Sequence, residues 1–153
     1  HEYRTTIVPL FDEKGIKRLP GNKNMKGYFN HIEKETAENL DFRRVLYTAK
    51  HSQLVVMNLR PSEEIGSEVH TVDQFFRFER GTGMVVIDGN EYAVTDGDAI
   101  IVPAGSTHNV INMSATEPLK LYSIYSPPQH VDGTVHPTKA DETEEHFNGK
   151  TTE

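Results

Sequence analysis

Apolar residues recur in short blocks from residue 42 to residue 124, with turn-forming residues between them about every 8 to 12 positions. No helical period intervenes, so the pattern predicts an all-β core, a sandwich or a barrel. Residues 42–48 and 53–59 read as two strands joined at Ala49-Lys50-His51-Ser52, which leaves His51 on an exposed turn. A loop with Pro61 and Gly66 near its ends leads into Glu68-Val69-His70, whose carboxylate and imidazole fall on one face if the segment is extended. Gln74 follows at the same parity. Strands at 75–79 and 84–87 flank Arg80-Gly81-Thr82-Gly83, and Asp88-Gly89 predicts a two-residue hairpin into 91–94. After the tight turn Thr95-Asp96-Gly97-Asp98, the run Ile100-Ile101-Val102 reads as a short buried strand. The sharp turn Pro103-Ala104-Gly105 then starts a strand that carries His108. Ser126-Pro127-Pro128 stops the last strand.

The flanks differ in kind. Pro9, Gly15, Pro20 and Gly21 punctuate residues 1–24, which read as a weakly ordered N-terminal extension. Residues 28–40 are polar and predict one short helix or an irregular arm. A single domain over residues 25–130 follows, and residues 131–153 form a polar C-terminal tail whose acidic end, 143–153, is expected to fray and to carry no chemistry.

Composition narrows the function classes. The 153 residues can bury a core without staples, and the absence of cysteine excludes disulfides, thiolate metal sites and a cysteine nucleophile. Any metal must therefore use nitrogen and oxygen ligands. Sixteen basic against 23 acidic residues give a net charge of −7, which argues against nucleic acid or an anionic membrane as partner. No apolar run reaches the ~20 residues of a membrane-spanning helix. The location expected from these features is the cytoplasm.

The stretch 97–112 contains Gly97, Pro103, Gly105, His108 and Asn112 at the spacing of the second cupin motif, and in this the chain resembles a cupin domain from about residue 60 to residue 126. The first cupin motif is met in part: Glu68 stands where a histidine is usual, His70 matches, Gln74 stands where a glutamate is usual, and Gly81 fits the closing glycine. Gly66 lies closer to the motif than the pattern asks. The Glu68-x-His70 pair followed by Asp73-Gln74-Phe75-Phe76 is similar to short single-domain cupins often labelled mannose-6-phosphate isomerase-like. The resemblance implies a double-stranded β-helix, the jelly-roll barrel, with one divalent transition metal held inside by Glu68, His70, Gln74 and His108. Such a donor set suits iron, manganese, nickel, cobalt or zinc. The alternative is that Gln74 only hydrogen-bonds within the barrel.

On that reading Phe76 and Phe78 line the cavity beside the metal, unless they are ordinary core, with Met57, Tyr92 and Tyr122 as lesser wall candidates. Asp73 falls on the opposite face. Glu79, His130, His136 and His146 read as solvated, His130 being the exception that can lie across the barrel mouth as a lid.

Three functions stay open, all with a small-molecule ligand. The first is a metalloenzyme, oxygenase-like, acting on an oxygen-chelating substrate. The second is a sugar or sugar-phosphate isomerase, for which no cation is evident in the wall. The third is a non-catalytic binding cupin. Open sheet edges predict a homodimer.

Overall fold

The computed structural model describes residues 26–153, so the expectation of weak order for 1–24 lies outside the described residues. One helix, α1 (Ile32–Glu38), precedes the strands β1 (Arg43–Thr48), β2 (Gln53–Leu59), β3 (Glu68–Val69), β4 (Asp73–Arg80) and β5 (Thr82–Ile87). β6 (Asn90–Thr95), β7 (Ala99–Val102), β8 (Thr107–Asn112), β9 (Leu119–Ser126) and β10 (Val135–His136) complete the order. They form two antiparallel sheets, β10-β1-β2-β9-β4-β7 and β3-β8-β5-β6. This is the all-β jelly roll, with the core between the sheets. Among the described residues no helix is long and apolar enough to cross a membrane.

Alternation decides which side chains enter that core. Along β4, Gln74, Phe76 and Phe78 are buried while Phe75, Arg77 and Glu79 face outward. Each buried phenylalanine contributes roughly 1.5–3 kcal/mol relative to exposure. β2 is buried on both faces from Val55 to Leu59, because α1 lies over its outer side and that of β9. Thr36 of α1 is buried there, and Lys120 donates to the Asn39 carbonyl at 2.6 Å.

Turn chemistry fixes the loops. Gly81 has φ +98°, and a Cβ there would lie 2.5 Å from the Pro118 carbonyl oxygen, so only glycine fits. Asn112 is buried and its amide nitrogen donates to the carbonyls of Leu59, Arg60 and Glu117 at 2.9–3.2 Å, while its oxygen accepts from Ser114 N. This motif residue thus pins two loops together.

Three expectations need correction. The extended segment through Glu68 and His70 does not continue into Gln74: the chain bends at Thr71 and Val72, and β4 starts afresh at Asp73. β7 is an edge strand, not a buried one, and Ile101 is 65% exposed. The last residues do not fray. β10 pairs with β1, and Thr152 N donates to the Thr48 carbonyl while Thr48 N donates to Thr152 Oγ1. Periodicity cannot reveal such docking, since hydrogen bonds to distant residues provide it.

Candidate metal centre

Backbone pairing brings the first two donors together. Glu68 of β3 sits opposite His108 of β8 in the ladder, and Glu68 Oε2 lies 4.0 Å from His108 Nε2. His70, just past β3, places Nε2 2.9 Å from the same oxygen. One donor atom from each of the three lies within 4.8 Å of the others, the spacing that a single ion can bridge. His108 is buried, and its Nδ1 lies 3.0 Å from the Ser106 carbonyl. That contact requires the proton on Nδ1 and leaves the Nε2 lone pair directed into the site. His108 Nε2 has no hydrogen-bond partner, an arrangement that is costly when buried and that coordination to a cation would satisfy.

Gln74 is another buried group with an unpartnered atom. Its Nε2 donates to Ser123 Oγ at 2.9 Å, which leaves Oε1 buried and unpartnered. The amide is therefore oriented with its oxygen available as a donor. Glu68 is held as a carboxylate: burial pushes its carboxyl up, but the hydrogen bond and charge of His70, with Arg43 and His108, bring it below the ordinary value.

Phe76 and Phe78 belong to the hydrophobic core cluster. The Phe76 ring lies 6.5 Å from the His108 ring, and Phe78 stacks on Phe76 at 6.3 Å. Met57 is buried in the same core cluster. Tyr92 and Tyr122 do not line this cavity. Tyr92 is 47% exposed on β6, and Tyr122 packs on the outward Phe75 at 6.3 Å because its ladder partner is outward-facing Arg77. Asp73 faces out, as its parity predicts, and accepts from Ala104 N at 2.9 Å.

The remaining histidines and Glu79 depart from the solvated reading in three cases. His136 is buried between Arg43 and Thr143. The Glu79 side chain is only 7% exposed and lies 3.4 Å from Arg77 Nε. His130 lines the cavity beside Glu68 and His70, while His146 is exposed at the rim. The His130 imidazole is pushed down to about 3 by burial, then by Arg43 and the neighbouring histidines, and its Nε2 lies 3.2 Å from the hydroxyl of Tyr125, whose phenol burial pushes up to about 12. Tyr125 also meets His70 edge-on at 5.8 Å.

Sequence reading missed Arg43, Tyr125 and the strap of residues 142–146. All but Tyr125 line a cavity of about 290 Å³ with Glu68, His70 and His130. Arg43 overturns the expectation that no cation enters this cavity. Its signal was its parity with Val45 and Tyr47, the buried positions of β1. A larger groove of about 660 Å³ lies on the outer face among Phe75, Tyr92, Ile100 and Ile101. It contains none of the histidines or candidate ligands.

Comparisons with known proteins agree with this fold. A family described as the cupin domain matches residues 55–125. The crystal structure of BH2720 from Bacillus halodurans is 45% identical, covers 77% of this chain and 94% of its own, and superposes with a TM-score of 0.74. The uncharacterised protein YrkC of Bacillus subtilis (strain 168) is 49% identical over 123 residues, 76% of this chain and 66% of its own length. The uncharacterised protein L612 of Acanthamoeba polyphaga mimivirus is 42% identical over 112 residues, 71% of this chain and 70% of its own. The match thus spans about two thirds of each of these two relatives.

Proposed function

Since this chain belongs to the cupin family, we propose that it holds one divalent transition ion on Glu68, His70 and His108, with Gln74 as a fourth donor, and acts on a small organic molecule that chelates the metal through two oxygens. The observation that carries the reading is the buried, partnerless Nε2 of His108 facing the Glu68 carboxylate. Two imidazoles and a carboxylate with open positions are the donor set of non-haem iron oxygenases, in which the ion brings substrate and oxygen together.

The protein groups have separable tasks. Ser106 holds the His108 tautomer through its carbonyl, and Ser123 turns the Gln74 oxygen inward. Phe76 keeps water from the His108 side. Tyr125 stays protonated, and its ring packs edge-on against His70.

The sugar-phosphate isomerase reading is weaker despite Arg43. That guanidinium already faces Glu142 at 2.8 Å, and Glu144 and Glu145 share the cavity lining, so a dianionic phosphate meets a wall with surplus negative charge. The test is oxygen uptake by Fe²⁺-loaded protein across catechols, enols and keto acids, with metal content measured in parallel. Uptake with one of these classes supports the oxygenase reading. Bound metal without turnover of any of them assigns the chain to the binding cupins.

The assembly that fits the outer face is a homodimer. β7 and β6 each form one edge of the two sheets, and exposed Ile101 and Tyr92 line the groove beside them.

A further inference from the structure

Arg43 is a buried charge that the metal reading does not use. Its side chain is 3% exposed and lines the same cavity as Glu68 and His70. Both of its polar contacts come from Nη1: it donates to Glu142 Oε2 at 2.8 Å and lies 3.4 Å from His136 Nδ1. Nε is buried with no partner. A guanidinium has five donors arranged for two-point recognition of a carboxylate, and here that capacity is largely unused.

Its present partner is loosely held. Glu142 follows the short 3₁₀ turn Lys139–Asp141, and its own amide bonds back to the Lys139 carbonyl. The next backbone tie beyond it, among the described residues, is Phe147 N to the Gln129 carbonyl. Residues 143–146 therefore cross the mouth without backbone hydrogen bonds, and the Glu142 side chain is one-third exposed. A carboxylate from an exposed strap that reaches a buried arginine occupies the position of a ligand anion.

We propose that Arg43 is an anion-binding residue of this cavity, that the ligand carries a carboxylate besides the oxygen pair that meets the metal, and that Glu142 occupies Arg43 until the ligand displaces it. The proposal rests on the metal site described above. Charge favours a single carboxylate over a phosphate, because the exchange replaces one −1 partner of Arg43 by another and leaves the cavity's net charge unchanged. The remaining acidic groups of the strap, Glu144 and Glu145, then stay exposed at the rim.

The experiment uses the full chain loaded with Mn²⁺ and compares acetohydroxamate, a bidentate chelator without a carboxylate, with the monohydroxamates of malonic, succinic and glutaric acid. Calorimetry reads each affinity. The expected result is that at least one of the acids binds about tenfold or more tighter than acetohydroxamate, as a charge-assisted hydrogen bond predicts. Arg43→Gln abolishes that advantage, read as the ratio of acid affinity to acetohydroxamate affinity within the same variant. Because Arg43→Gln removes a buried ion pair and can unfold the chain, Glu142→Gln is the second variant: it strengthens binding of the favoured acid several-fold and leaves acetohydroxamate as it was. Acids that bind no better than acetohydroxamate, an advantage that survives Arg43→Gln, or a Glu142→Gln variant with unchanged acid affinity overturns the proposal and leaves Arg43 a latch for the strap. Failure of acetohydroxamate itself to bind the Mn²⁺-loaded protein overturns the metal reading and takes this inference with it.

Discussion

The amide of Gly105 donates to the carbonyl of His70 at 2.8 Å. This one bond ties the turn that introduces His108 directly to the residue that supplies the second imidazole. Gly105 reaches that position with φ +85°, which a side chain makes strained.

Two glycine substitutions therefore differ in a calculable way. Gly105→Ala meets open space and has only the backbone penalty, about 1 kcal/mol. Gly81→Ala has the same penalty and also drives its Cβ against the Pro118 carbonyl oxygen at 2.5 Å. Urea denaturation should show Gly81→Ala as the more destabilised by at least ~1 kcal/mol. Equal midpoints would contradict the account of the Gly81 turn.

Stability should fall as pH drops through the histidine range, and His130 should account for part of it. An unfolded histidine titrates near 6.5, whereas burial first, and then Arg43, His70, His136 and His146, hold folded His130 at about 3. Between those values the unfolded chain binds a proton that the folded chain refuses. The contribution is fully present above about 6.5 and is lost progressively toward about 3. His136, pushed down by burial and by Arg43, adds in the same direction. His130→Gln keeps a hydrogen-bonding partner for the Tyr125 hydroxyl and should lose less Tm than the native chain between pH 7.5 and pH 4.5. Parallel Tm curves would remove His130 from the explanation.

Ile101 is the most direct probe of assembly. It is 65% exposed on the β7 edge beside Phe75, Ile100 and Tyr92. Light scattering at tens of micromolar should give a dimer mass for the native chain and a monomer mass for Ile101→Asp. A native monomer would refute the dimer.

Much of the site could be read from spacing, for reasons that the structure makes concrete. Pro103 and Gly105 act locally, through fixed φ and positive φ, so a short motif contains what their backbone needs, whereas Asn112 acts through bonds to the carbonyls of Leu59 and Arg60, 53 and 52 positions away. Glu68 and His70 were legible as a pair because they are two residues apart, even though the strand around them is broken. Tyr122 was misplaced because its face depends on the register of β9 against β4, where it meets outward Arg77. Register between distant strands is not written in either strand alone. Arg43 and Glu142 were missed for a related reason: their 2.8 Å contact joins residues 99 positions apart, and only tertiary docking of the C-terminal strap brings them together.

The central claim is that Glu68, His70 and His108, with Gln74, hold a divalent transition ion. Elemental analysis of protein purified without chelator or added metal tests it most directly, with His108→Ala measured beside the native chain and circular dichroism confirming that both are folded. The account predicts close to one transition-metal ion per native chain and loss of most of it in the variant, since His108 Nε2 is the buried donor with no other partner. A native chain without metal, or a folded His108→Ala variant with unchanged metal content, would contradict it.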